Sequence, residues 1–238
     1  MIDLNALKSA NAKRWANAKL ARSASFTTVA KHLVAPAAKA RYQAVSAKTG
    51  VPWAFIAVVH ERECSQDWTG SLAQGDPWNT VSVHVPVGRG PFKSWEDAAI
   101  DALVNCAPYA AKNRDWSIGG TLAMLEQYNG LGYAARGRPS PYIWSGTDQY
   151  VSGKYVRDGV YDPNAVDSQL GCAGLLMAMM ALDPAIAFTG APVSPVKSVA
   201  VRTSTPIRRS AAPSIAQPSR GSIGAFVVSI LSAIFKRK

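Results

Sequence analysis

The stretch from Val51 to Ser65 constrains this chain more than any other. It is an apolar run, Val-Pro-Trp-Ala-Phe-Ile-Ala-Val-Val, that ends abruptly in His60, Glu61, Arg62 and Glu63. Gly50 and Pro52 punctuate its start: glycine suits the close of a preceding helix, and proline suits a first turn whose N–H has no partner anyway. The thirteen residues from Pro52 to Cys64 are too many for an ordinary strand and predict a buried helix. A helix apolar nearly all round belongs in a core. Carboxylates on its last turn are then informative, because ionised groups beside a core must be paired or used.

Helical geometry separates the two carboxylates. Glu61 and Glu63 are two residues apart, roughly 200° around the axis, and point to nearly opposite sides. They cannot form an acid–base pair with each other. Glu63 shares a face with Ile56, Val59 and His60, whereas Glu61 aligns with Ala57 and Cys64. If one faces a cleft, its partner group must come from the following loop. The plain alternative is that both solvate a helix end beside Arg62.

Upstream, the pattern predicts supporting helices over residues 1–24, 26–34 and 37–48, with no chemistry in them; His32 reads as a helix-surface residue. Downstream, residues 67–78 are rich in Gly, Ser, Gln and Pro and read as loop. Thr80 to Val85 alternates, with Val81, Val83 and Val85 on one face and Thr80, Ser82 and His84 on the other, which predicts a half-buried strand. A small hairpin or sheet there would wall a cleft behind the Glu-bearing helix. Asp76, in the turn Gly75-Asp76-Pro77, sits near the start of that wall, although Asp before Pro is also an ordinary turn residue. Ser94 reads as the N-cap of a helix opening on Trp95, Glu96 and Asp97. Further helices are expected over about 117–128 and 162–182, the second with a methionine cluster that fills core. Between them Tyr128, Tyr142, Trp144, Tyr150 and Tyr155 give an aromatic density suited to packing on sugar rings, with Asn129 able to hydrogen-bond such a ring. Base stacking is the rival use of such rings, but basic residues are not concentrated there.

Composition narrows the class. The 238 residues are 48% hydrophobic and 17% charged, as in a globular chain with one good core. Cys64, Cys106 and Cys172 lie far apart and are odd in number. They read as thiols of a chain made in reducing cytoplasm, with one disulfide left open. The three histidines are scattered, and no metal-ligand spacing or cofactor motif is present. No secretion signal is expected, since Asp3, Lys8, Lys13 and Arg14 interrupt the N-terminus.

Taken together, His60-Glu61-Arg62-Glu63, Gly75-Asp76-Pro77, Ser82 to Pro86 (Ser-Val-His-Val-Pro), Tyr128-Asn129-Gly130 and Ser140 to Ser145 (Ser-Pro-Tyr-Ile-Trp-Ser) resemble a phage and proteobacterial lysozyme-like endolysin family. The resemblance runs in order from about residue 28 to 182. More distantly, a helix-terminal Glu with a later Tyr-Asn is similar to goose-type lysozymes and lytic transglycosylases. It implies an α+β, mostly α fold: a lysozyme-like helical domain with a small hairpin or sheet beside the cleft. It also implies Glu63 as catalytic acid in hydrolysis of the β-1,4 glycosidic bond of peptidoglycan, with Tyr128 and Asn129 lining the sugar cleft. His60, His84, Tyr142 and Trp144 join them as candidate substrate contacts. Two positions depart from the pattern: Cys64 stands where Ser often follows the Glu, and Ser82 stands where Thr is expected. The acid must stay protonated near neutral pH, which an apolar helix face encourages. For the second group the candidates are Asp76, then Ser82 as a water-positioning hydroxyl, then Asp67. No metal and no cofactor is implied.

The tail differs in kind. Residues 189–222 hold five prolines and no acid, and read as a flexible linker. Residues 190–238 carry eight basic and no acidic residues, supplying +8 of the net +11. The apolar Ser222 to Phe235, closed by Lys-Arg-Lys, is shorter than the roughly 20 residues a membrane-spanning helix needs. It reads as a segment that associates with anionic membrane lipid, or as one more core segment. The expected organisation is a catalytic domain over 1–188, a basic linker over 189–222 and a membrane-interacting segment over 223–238. The expected protein is a monomer that acts at the cell wall, with no nucleic-acid partner. A transglycosylase, or a non-catalytic wall- or membrane-binding protein on the same scaffold, remains as the alternative.

Overall fold

The computed structural model describes residues 2–157 and 159–190. They form a mostly helical body with one small antiparallel sheet. In order come α1 (Leu4–Asn17), α2 (Ser23–Leu33), α3 (Pro36–Thr49), α4 (Trp53–Cys64), α5 (Trp95–Asn105), α6 (Ile118–Asn129), α7 (Gly132–Ala135) and α8 (Pro141–Trp144). Strands β1 (Lys154–Arg157) and β2 (Val160–Asp162) follow, then α9 (Cys172–Leu182).

Helix α4 is the centre, as its composition demands. Every residue from Ala54 to His60 is buried, together with Arg62 and Glu63, and the helix packs on α3, α6 and α9. Burying Phe55, Ile56, Val58 and Val59 contributes about 1.5–3 kcal/mol each. The junction with α3 turns on Gly50, whose φ of 72° and N–H bond to the Ser46 carbonyl close the preceding helix. Two other crossings are so close that glycine is required. A Cβ at Gly119 of α6 would lie 2.7 Å from the Lys8 carbonyl oxygen of α1, and one at Gly174 of α9 would lie 2.2 Å from the Phe26 ring of α2.

Four expectations need correction. The helix expected over residues 1–24 stops at Asn17, and α2 starts three residues earlier than expected, because the intervening backbone bonds elsewhere. The Arg22 N–H donates to the Gly146 carbonyl (3.1 Å) and the Asp148 N–H to that of Lys19 (3.0 Å). Residues 80–85 form no strand, and burial does not alternate along them: Ser82 alone is buried, whereas Val83 is 74% exposed and Thr80, Val81, His84 and Val85 are also open. Polar demands build that loop, since the Val83 and His84 N–H groups are spent on the Asp76 carboxylate. The sheet lies instead at β1–β2, with Tyr155 opposite Tyr161. The final helix begins at Cys172 rather than near 162, because β2 and a loop fixed through Asp167 occupy the intervening residues.

The expected linker and membrane-interacting segment fall, from residue 191 on, outside the described residues. Phe188 packs edge-on against Trp15, with ring centres 6.4 Å apart. The Gly190 carbonyl accepts from the Trp116 N–H at 3.2 Å, so the body continues to that point. Among the described residues no helix is long and apolar enough to cross a membrane.

Candidate active site

Helix α4 ends in a sharp reversal: Ser65 and Gln66 both take left-handed backbone conformations, with φ of 50° and 60°. Their N–H groups return to the carbonyls of Glu61 and His60. This reversal folds the following loop back over the last turn of the helix. The Cys64 thiol donates to the Ser71 carbonyl (3.1 Å). A Cβ on Gly75 would stand 3.6 Å from the Glu63 carbonyl oxygen, which puts the Gly75-Asp76 turn directly on the backbone of Glu63. The loop is closed by the Ser71 N–H on the Asp76 carbonyl (2.8 Å) and the Gly75 N–H on that of Ser71 (2.9 Å).

Glu63 is only 8% exposed. Its Oε1 accepts a 2.9 Å hydrogen bond from the Tyr142 hydroxyl of α8. Burial pushes the carboxyl up to about 7, although the phenol and the nearby Arg62 charge pull the other way. Glu61, on the opposite side as the helical phase requires, is half-buried and bonds Gln66 at 2.6 Å. Burial raises it too, against that bond and the Arg62 charge.

Beneath this carboxyl lies an ionic network that the sequence reading missed. Arg62 donates to Asp167 (2.9 Å) and to the Leu170 carbonyl (3.2 Å), and its guanidinium lies 4.7 Å from the centre of the Tyr142 ring. Lys154 of β1 holds the other Asp167 oxygen at 2.9 Å. Burial acts to raise the Asp167 carboxyl, but Arg62 and Lys154 outweigh it and hold it below the usual carboxylate range. No spacing marks this set in the sequence, and Arg62 stands among His60, Glu61 and Glu63, so no local sign singles it out.

Asp76 is buried and fully engaged. One carboxylate oxygen accepts from the Val83 and His84 N–H groups (2.8 and 2.9 Å), and the other meets the His84 Nδ1 at 2.6 Å. Burial works to raise this carboxyl, yet the bonds from the His84 N–H and ring and the Val83 N–H together hold it low. The His84 side chain is itself 70% exposed. Ser82 is committed to the loop: its hydroxyl donates to the Pro86 carbonyl and accepts from the Arg89 N–H, both at 2.9 Å. Asp67 accepts from the Thr69 N–H and hydroxyl, each at 2.8 Å, and so caps a turn.

The remaining candidates divide. The Tyr128 hydroxyl reaches back to the Leu72 carbonyl (2.9 Å), supporting the loop over Glu63. Asn129, at the end of α6, is half-buried. His60 lies apart from any glycan surface: it is fully buried among Tyr42, Trp68 and Trp95. Its Nε2 meets the Asp67 carbonyl (3.0 Å), so its Nδ1 accepts from the Tyr42 hydroxyl at 2.9 Å. Burial pushes this imidazole down to about 4, and it stays neutral. Trp144 is likewise enclosed in the core. Both are corrections to the expected set of sugar contacts, because neither presents surface, and Tyr128 and Tyr142 are each only 3% exposed. Cys64, Cys106 and Cys172 are free thiols.

The geometry gathers one buried, proton-holding carboxyl, a phenol bonded to it, and an Asp–His pair on the loop packed against it. Comparison of the chain with protein-family models, with curated proteins and with solved structures gave no significant match.

Proposed function

We propose that this chain is a peptidoglycan-degrading muramidase that hydrolyses the β-1,4 glycosidic bond with Glu63 as general acid. The observation that carries the reading is the carboxyl at the end of a core helix, raised to about 7 by burial and bonded to Tyr142. A glycosidic oxygen leaves poorly unless it is protonated as the bond breaks, so the acid must still hold its proton near neutral pH. A carboxyl in apolar surroundings meets that need. Asn129 and the open His84 are the candidate sugar-cleft residues that present surface; Tyr128 and Tyr142 are buried against the loop and Glu63, and the loop over residues 71–76 closes one side of Glu63. Delivery to anionic membrane lipid is assigned to residues 223–238, and the partner of the body is the glycan strand of the cell wall.

A second reading has a specific observation in its favour. The Asp76 carboxylate is wholly taken up by loop hydrogen bonds, as one carboxyl working alone would require. In a lytic transglycosylase such a lone group acts first as acid and then as base on the sugar's own hydroxyl.

The test of the common element is a pair of substitutions. Glu63→Gln keeps size and the Tyr142 bond but removes the proton, and lysis of purified walls is expected to fall by about 10²–10⁴-fold or more. Glu61→Gln, on the far side of the helix, is expected to retain wild-type lysis. Equal losses in the two variants, or a larger loss in Glu61→Gln, contradict the assignment.

A further inference from the structure

We propose that His84 is the general base of the same reaction and that Asp76 is its positioning residue, the pair forming an Asp–His dyad that activates the attacking water. The inference rests on reading this chain as a glycan hydrolase, and reassigns the two residues that sequence made a base and a sugar contact.

The geometry separates their roles. Asp76 spends one oxygen on two backbone N–H groups and the other on the His84 ring. A carboxylate so fully hydrogen-bonded is a weak base with no lone pair aimed at a substrate. The same bonds make it a strong acceptor, and an ionised carboxylate can only accept, so the proton of the His84 ring sits on Nδ1. Nε2 then carries a lone pair, and the side chain that bears it is 70% open to solvent. Backbone and side chain of the same histidine both bond Asp76, so the ring is held from two points. Among the other charged side chains of the loop between α4 and α5, Arg89 is paired bidentately with Asp101 of α5 and Asp67 caps the turn at Thr69. The loop is fixed over the acid by Gly75 against the Glu63 carbonyl and by Tyr128 on Leu72.

The step balances without any further reactant. His84 Nε2 takes a proton from water as the water oxygen bonds to the anomeric carbon. The bond from that carbon to the glycosidic oxygen breaks, and Glu63 gives its proton to the departing oxygen. The enzyme is left with a Glu63 carboxylate and a His84 imidazolium, which exchange protons with solvent to reset. A water delivered opposite the leaving group inverts the anomeric configuration.

The experiment compares the full chain with His84→Gln and Asp76→Asn on purified, uncrosslinked peptidoglycan glycan strands. His84→Gln is expected to lower kcat by about 10²–10⁴-fold with KM unchanged within about threefold. Asp76→Asn still accepts from the Val83 and His84 N–H groups, but its amide favours the Nδ1-acceptor tautomer and so misdirects the ring proton. It is expected to lose kcat while still folding, read as a cooperative thermal transition that is retained at a lower temperature, because the charge-assisted bonds of the carboxylate are weakened. Proton NMR of the first product is expected to show the α anomer. A His84→Gln variant with wild-type kcat, one that raises only KM, or a β product overturns the dyad. Unimpaired lysis by Glu63→Gln overturns the hydrolase reading itself, so the two failures are told apart.

Discussion

Replacing Glu63 by Gln is expected to make the protein more stable while disabling it, and the gain is set by pH. An unfolded glutamate ionises near 4.5, whereas the folded Glu63 holds its proton up to about 7. The folded state therefore binds more protons than the unfolded chain between those values, and stability falls as pH rises across that window. Above pH 7 the full difference applies, about 3 kcal/mol by linkage. Gln carries no such penalty, and its carbonyl still accepts from Tyr142. At pH 4 the two proteins are expected to melt together; at pH 8 the variant is expected to melt higher by roughly 6–12 °C, at roughly 2–4 °C per kcal/mol for a domain of this size. Differential scanning calorimetry at five or six pH values reads the curve. A difference that stays flat with pH, or that opens below pH 4, refutes the claim that burial governs this carboxyl.

Three further predictions follow from the packing. Tyr142→Phe removes a bond that favours the ionised acid, so the alkaline limb of the pH–activity profile is expected to move upward, and a limb that stays put or moves down argues against that contact. Gly174→Ala forces a methyl into the fully buried Phe26 ring and is expected to destabilise by about 1–3 kcal/mol in urea unfolding; a neutral outcome means the α2–α9 crossing is looser than described. The chain ended after Gly190 keeps the Trp15–Phe188 and Trp116–Gly190 contacts. It is expected to hydrolyse bare walls at the full rate and to lose sedimentation with anionic vesicles, an interaction that salt weakens in the whole protein. Loss of wall hydrolysis on truncation would assign residues 191–238 to the catalytic body instead.

Much of the organisation could be read from periodicity, and the failures have physical causes. The helix from Trp53 to Cys64 was legible because an apolar run of that length has one home, and its phase already put Glu61 and Glu63 on opposite sides. The alternation of Val81, Val83 and Val85 misled because the same pattern arises when a loop is built inward around Ser82 and Asp76, turning the valines to solvent. The real hairpin carried a sign, the Asp158-Gly159 pair between Lys-Tyr-Val-Arg and Val-Tyr-Asp, which is a strong short-range turn signal. Reading Tyr150 and Tyr155 as part of an aromatic loop hid it. His60 was placed at the glycan because it opens the His60–Glu63 motif that carries the resemblance. Its neighbours in space, Tyr42, Trp68 and Trp95, come from three separate stretches that no local pattern connects. The Arg62–Asp167 pair, 105 residues apart, was hidden for the same reason.

The measurement that bears most directly on the whole account is mass analysis of the fragments released from purified peptidoglycan by the wild-type chain and by Glu63→Gln. The account predicts muropeptides with new reducing ends from the wild type and none above background from the variant. Intact glycan strands after prolonged incubation with the wild type, or the same fragments from Glu63→Gln, would contradict it. Fragments ending in 1,6-anhydro sugars would keep Glu63 but replace hydrolysis by transglycosylation, and with it remove the need for His84.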